Sequence, residues 1–381
     1  MKKHKGLKIL GIIVLGLVVL YFSSPVYIQR ALIYQKVGID DYPIFPNRVI
    51  KATNPAPWQK HEAYNTLQIN AELKAEMETL QTIAFSVVKD GKLLHEEYWD
   101  DHSIQSKTNS FSAAKSIVGL LVGCAIEDGF IAGINQNVSS FFPEIKGEFA
   151  NMLTIRDVLT MSSGLNWDES YGSLFSTTTE AYYGNDLPKL ILGLEVVEEP
   201  GREFNYLSGN TQLLAMIVTK AVGKPLGDYA TEKLWDPLQA EHDALWCLDK
   251  EDGLEKAYCC FNSNVSDFAR IGQMVLDSGR WNGRQVLSKK YIEESTTIAT
   301  HLKETGTQND LYYYGYQWWI MDYKGHKVAY ARGILGQYIF VIPSMNAVVV
   351  RLGHIRSAEY KNHHPLCAYM YLDAAFELLN Q

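Results

Sequence analysis

Apolar and polar positions alternate with a period of two near both ends of this chain and follow a helical period through its middle. "TIAFSVVKDGKLLHEEYW", residues 82–99, reads as two strands around Asp90-Gly91, the dipeptide favoured in two-residue hairpin turns. "HKVAYARG", "GQYIFVIP" and "NAVVVRLG", residues 326–353, are three more strand-like runs separated by Gly, Pro and Asn. A closing helix is predicted over "PLCAYMYLDAAFELLN" and a short lead-in helix over "NAELKAEMETL". Between the ends, "LTIRDVLTMSSG" carries a T-x-x-D capping pattern, and "NTQLLAMIVTKAVGKP" stops at Gly and then Pro. Strands at both termini with helices between them predict an α+β fold. One antiparallel sheet is built from N- and C-terminal segments, with flanking helices and an inserted helical region.

The first 22 residues follow neither period. Four lysines in "MKKHKGLK" precede "ILGIIVLGLVVLYF", which holds no charge. The run is shorter than the roughly 20 residues usual for a span, but Leu7 and the stem of Lys8 extend it. No small-residue cleavage site follows, so the pattern favours an uncleaved transmembrane anchor over a signal peptide. Lysines on the N-terminal side then place the remaining chain on the extracytoplasmic side. The expected organisation is a short tail over residues 1–6, a transmembrane anchor over 7–22, a linker and lead-in over 23–75 with five prolines, and a folded domain over 76–381.

At 381 residues, 47% hydrophobic and 20% charged, the chain is long enough for a substantial core. Its formal net charge of -8, with no basic cluster beyond the N-terminus, argues against nucleic acid as a partner. Five cysteines, Cys124, Cys247, Cys259, Cys260 and Cys367, show no zinc spacing and read mainly as buried small hydrophobes. A disulfide from Cys247 to Cys259 or Cys260 stays open. His363 and His364 lack an HExxH context, so neither a metal nor an organic cofactor is expected.

Candidate chemistry begins at "TNSFSAAKSIVGLLVGCAIEDG", residues 108–129, where Lys115 is the only cation in a largely apolar run. S-x-x-K occurs twice in the chain. Ser86 and Lys89 lie on a predicted strand, where residues three apart face opposite ways; Ser112 and Lys115 lie at a predicted helix start behind Asn109 and Ser110, where they share a face. A buried serine beside a desolvated lysine suits acyl transfer, and the helix N-terminus offers an N–H to a developing oxyanion. A helix-start serine with a snorkelling lysine is the other reading. Downstream, "EEPGREFNYLSGN" puts Tyr206 and Ser208 at a loop end before a helix, either facing a cavity or serving as core and cap. The absence of G-x-S-x-G excludes a nucleophile elbow.

"FSAAK", "EFNYLSGN" and "YARGILGQYIFVIP" together resemble the three motifs of the penicillin-recognising serine hydrolases, in order and approximate spacing. Within that superfamily the chain is similar to the class C β-lactamase and esterase branch, particularly its 6-aminohexanoate-dimer hydrolases. Connecting stretches such as "NVSDFARIGQMVLDSGRWNGRQVLS" and "YYGYQWWI" extend the resemblance over residues 80–355. The resemblance implies a β-lactamase-like fold and cleavage of a small-molecule amide or ester through an acyl-enzyme, without cofactor. It implies Ser112 as the nucleophile, Lys115 as its partner and Tyr206 as base. Ser208 stands where many members have Asn. Gly333 and the backbone N–H of Ile334 correspond to the second half of an oxyanion hole. The third motif reads Ala331-Arg332-Gly333, without the basic first residue that helps hold a β-lactam carboxylate, and Arg332 alternates to the opposite strand face. For Tyr206 to act as base its pKa must fall from about 10, the direction in which Lys115 acts. The aromatic segment 166–187 is expected to wall the pocket, with Trp167 and Tyr171 touching substrate. A cell-wall D-amino peptidase or esterase, or a penicillin-binding sensor that does not turn over, shares these motifs.

Overall fold

The computed structural model describes residues 2–381, with side chains from residue 6 onward; Met1, part of the tail expected over 1–6, lies outside the described residues. Helix α1, Lys2–Ser23, opens the chain. At 1.5 Å per residue its 22 residues span roughly 33 Å, close to the hydrocarbon thickness of a bilayer. Its stretch Gly6–Ser23 packs against nothing in the protein, and its length and composition suit a membrane anchor and a signal sequence alike.

The segment expected as a linker is instead woven into the domain. Helix α2, Val26–Tyr34, packs on a later helix of the inserted region, and strand β1, Asn47–Ile50, pairs antiparallel with Ala244–Cys247. The pairing partner lies some two hundred residues away, so no local periodicity announces it. The lead-in helix α3, Ala71–Thr79, is capped by Asn70, whose side-chain oxygen accepts from the Leu73 N–H at 2.9 Å.

Strands β2, Thr82–Lys89, and β3, Lys92–Tyr98, form the expected hairpin. Asp90 and Gly91 take φ of 50° and 72°, which the right-handed strand twist demands of a two-residue turn. Together with Trp319–Tyr323, His326–Gly333, Gln337–Ile342 and Ala347–Gly353 they make a six-stranded antiparallel sheet, in which Ala347–Gly353 lies beside β2 and joins the two chain ends. Helices cover both faces. Val348 and Val350 meet the inserted helical side, while Val349 and Phe340 meet the closing helix Leu366–Leu379. A strand buried on both sides reads as an unbroken apolar run, which is why "AVVV" does not alternate.

Between the hairpin and the C-terminal strands lie helices α4, Ala114–Glu127, α5, Ile155–Leu159, α6, Thr177–Tyr183, α7, Ser208–Val222, and α8, Val265–Leu276. Helix α5 has the capping box foreseen at Thr154 and Asp157, and α7 ends at Gly223 in the left-handed region. Helix α2 packs on α6. Its Arg30 donates to the carbonyls of Tyr183 at 3.4 Å and Ile44 at 3.2 Å, and the Tyr34 and Tyr183 rings stack 6.1 Å apart. Cys259 and Cys260 form a disulfide between adjacent residues, while Cys124, Cys247 and Cys367 are free and buried. The pairings considered with Cys247 therefore do not form.

Candidate active site

Ser112 stands on one turn of 3-10 helix, Phe111–Ala113, that leads into α4. The residue before it, Phe111, has φ of 45°, a conformation costly for a bulky side chain. Asn109 holds that turn: its side-chain oxygen accepts from the N–H groups of Phe111 at 2.8 Å and Cys260 at 3.1 Å. Neither Asn109 nor Ser110 caps α4 in the expected way; Asn109 makes a local turn, and the Ser110 hydroxyl donates to the Phe111 carbonyl at 3.3 Å.

One helical turn on, Lys115 is 1% exposed. Its ammonium has three protons and three acceptors: Ser112 Oγ at 3.2 Å, Ser208 Oγ at 3.0 Å and the Tyr258 carbonyl at 2.9 Å. The rings of Tyr206 and Tyr258 flank it at 5.2 and 5.5 Å. Burial lowers its pKa from 10.5 to about 8, with the Glu169 carboxylate pulling it partly back up. An amine that releases its proton near neutrality therefore sits against the Ser112 hydroxyl. The second S-x-x-K behaves otherwise, for Lys89 on β2 turns to the Met345 carbonyl.

Tyr206 faces Ser112, and its ring lies 5.4 Å from that of Trp319. Its pKa moves opposite to the direction a base requires. Burial raises it, and the hydrogen bond with Ser112 and the charges of Arg332 and Arg356 only partly offset that, while Glu169 adds to the rise. Desolvation of a phenolate is the larger effect because no cation among the described residues donates directly to the oxygen.

Glu169 was not singled out in the sequence. Its carboxylate accepts from the Ser208 N–H at 2.6 Å and from the Ser208 hydroxyl at 2.7 Å, so it caps the N-terminus of α7 and ends a chain running Ser112, Lys115, Ser208, Glu169. The Tyr171 hydroxyl donates to it at 2.6 Å. The signal available in the sequence was a buried lysine lacking a counter-charge; the aromatic segment 166–187 offers four carboxylates, Asp168, Glu169, Glu180 and Asp186, and nothing in the sequence chooses among them.

A cavity of about 400 Å³ opens over this group, with Ser112, Ser208, Tyr171 and Ile334 on its wall. Gly333, the residue before Ile334, packs against the start of the turn that carries Ser112; a Cβ there would meet the Ser110 carbonyl at 2.1 Å. Trp167 is not brought to the cavity. It is buried, its indole N–H donates to Thr178 at 3.1 Å, and its ring occupies the space a side chain at Gly209 would need. Arg332 also points away from the cavity, its guanidinium over the Trp319 ring at 3.2 Å and donating to the His363 carbonyl at 2.8 Å.

A family model described as Beta-lactamase matches residues 69–362. The 6-aminohexanoate-dimer hydrolase of Paenarthrobacter ureafaciens is 27% identical over 320 residues, 80% of each chain. Among solved structures, a provisionally assigned 6-aminohexanoate-dimer hydrolase from Bacillus anthracis superposes with a TM-score of 0.77 at 21% identity, covering 89% of this chain and 94% of its own. The D-amino acid amidase of Ochrobactrum anthropi SV3 gives 0.57 at 14% identity, covering 81% and 99%.

Proposed function

The chain belongs to the Beta-lactamase family and is a serine hydrolase, and from that premise we propose that it cleaves amide or ester bonds through an acyl-enzyme on Ser112. The observation that carries this reading is the contact of a buried Lys115, titrating at about 8, with the Ser112 hydroxyl. In acylation, neutral Lys115 takes the Ser112 proton as Oγ bonds to the acyl carbon. The bond to the leaving amine or alcohol breaks, and the proton passes to that leaving group through the Tyr206 hydroxyl. Tyr206, protonated at rest, serves as shuttle where the family pattern has a base. Water then attacks the acyl carbon, gives its proton back through the same pair and frees Ser112. The N–H groups of Ser112 and Ile334 stabilise the oxyanion, a role that needs the backbone geometry and no side chain.

The substrate is an amide or ester, and 6-aminohexanoate oligomers are candidates by relationship. The test is turnover of p-nitrophenyl butyrate, a D-amino-acid amide, 6-aminohexanoate dimer and nitrocefin by the full chain and by Ser112→Ala. Hydrolysis of at least one, abolished in the variant, is expected. A fluorescent penicillin adduct that persists without turnover would make the protein a receptor instead. The catalytic domain lies outside the cytoplasm, tethered by α1, a placement supported by the lysines ahead of the apolar run. A C-terminal reporter fusion active only in the cytoplasm would refute it.

A further inference from the structure

The wall of the cavity includes the segment that follows the apolar helix. Ala31 on α2 and Val37 just beyond it line the cavity together with Leu174, Tyr183, Ile334 and Leu335, so the wall is largely apolar and part of it is the chain that follows the apolar helix. Only Ser24 and Pro25 separate α1 from α2, and the junction is tied: the Ser24 hydroxyl donates to the Tyr21 carbonyl at 2.7 Å and Gln29 donates to the Ser24 carbonyl at 2.8 Å. Helix α2 has nine residues, so Ala31 on the cavity wall lies within roughly 14 Å of the start of that helix, with two residues between it and the end of the apolar one. On α2, Leu32 and Ile33 are exposed and apolar, Ile33 at 61%, and next in sequence to the cavity-lining Leu174 the Phe175 ring is 79% exposed. Solvent-facing apolar residues on the two segments that also line the cavity mark a contact surface, and a neighbouring helix suited to a bilayer names the contact.

We propose that the site takes its acyl group from the membrane surface: its substrates are lipid-borne esters or amides whose hydrocarbon chain enters the cavity between α2 and Leu174 while Ile33 and Phe175 dip into the lipid. The proposal rests on the acyl-enzyme reading above and adds the substrate class to it. The covalent step is unchanged, with the ester C–O bond broken, the acyl group carried on Ser112 and then passed to water.

The test uses the full chain in phosphatidylcholine vesicles with two kinds of p-nitrophenyl ester, soluble acetate, butyrate and hexanoate, and bilayer-resident palmitate. Burial of a methylene at about 0.8 kcal/mol corresponds to roughly a fourfold gain, so kcat/KM should climb severalfold per added methylene along the soluble series. The double variant Ile33→Glu, Phe175→Glu, altered only at exposed positions, should keep wild-type acetate turnover and lose at least tenfold on palmitate. A flat or falling chain-length series, or palmitate turnover untouched by the variant, overturns the proposal while leaving the hydrolase intact. Equal losses of the variant on acetate and palmitate overturn it as well. Failure of the wild type to hydrolyse any ester or to form an adduct on Ser112 removes the hydrolase reading, and this proposal with it.

Discussion

Replacing Lys115 by Met should destroy turnover and yet change stability in a way that depends on pH with a known sign. Lys115 titrates at about 8 in the fold against 10.5 for the free side chain. At 1.36 kcal/mol per tenfold difference, the folded state disfavours the ammonium by about 3 kcal/mol. Between those two values the unfolded chain holds a proton that the folded chain has released, so stability rises with pH across that window. The penalty is complete below pH 8, and about 2 kcal/mol of it is recovered between pH 7 and pH 10. Met fills a similar volume without a charge, so the variant lacks this slope. It also leaves the Tyr258 carbonyl without its donor, at about 1–3 kcal/mol, but that cost does not vary with pH and cancels in the comparison. Urea unfolding of both proteins in a nonionic detergent, followed by tryptophan fluorescence at pH 7, 8, 9 and 10, reads the difference directly. The wild type should gain about 2 kcal/mol on the variant from pH 7 to pH 10. A constant difference, or a wild type that loses ground as pH rises, would refute a desolvated lysine beside Ser112.

Three further outcomes follow from the same geometry. Tyr206→Phe should lower ester turnover by roughly 10² to 10⁴-fold while thermal unfolding shifts by no more than about 1 kcal/mol, the cost of one hydrogen bond; unfolding of the variant or near-normal turnover contradicts the proton shuttle. Glu169→Gln removes the anion that holds the Lys115 pKa up, so the rise of kcat/KM with pH, centred near 8 in the wild type, should move to lower pH; a pH profile that stays put or moves up shows that Glu169 does not act on Lys115. Gly333→Ala drives a methyl into the Ser110 carbonyl and should cost upwards of about 2 kcal/mol in a denaturant titration together with most of the activity.

The parts of this fold that were legible in the sequence are those decided within a few residues. The hairpin around Asp90-Gly91 follows from local turn chemistry, and the meeting of Ser112 with Lys115 follows from helical spacing. What was not legible depends on partners distant in the chain. Residues 47–50 look like linker until Ala244–Cys247 arrives beside them, and Glu169 looks like a loop carboxylate until the start of α7, 39 residues on, presents Ser208 to it. Trp167 was expected at the substrate because its neighbours are aromatic and loop-like, but the missing side chain at Gly209 opens a place for it in the core. The direction of the Tyr206 pKa turned on how much water the fold removes, a quantity no motif carries. The site was thus readable as a set of residue types, and its electrostatics were not.

The most direct test of the account is to find the residue that carries the acyl or phosphonyl group. The full chain, treated with a fluorophosphonate and digested with trypsin, yields the peptide from Thr108 to Lys115, which contains both Ser110 and Ser112. Fragment-ion mass spectrometry should place the adduct on Ser112 alone, with labelling faster at pH 9 than at pH 7 as Lys115 loses its proton. An adduct on Ser110 or Ser86, or no adduct on any serine, would contradict the central claim.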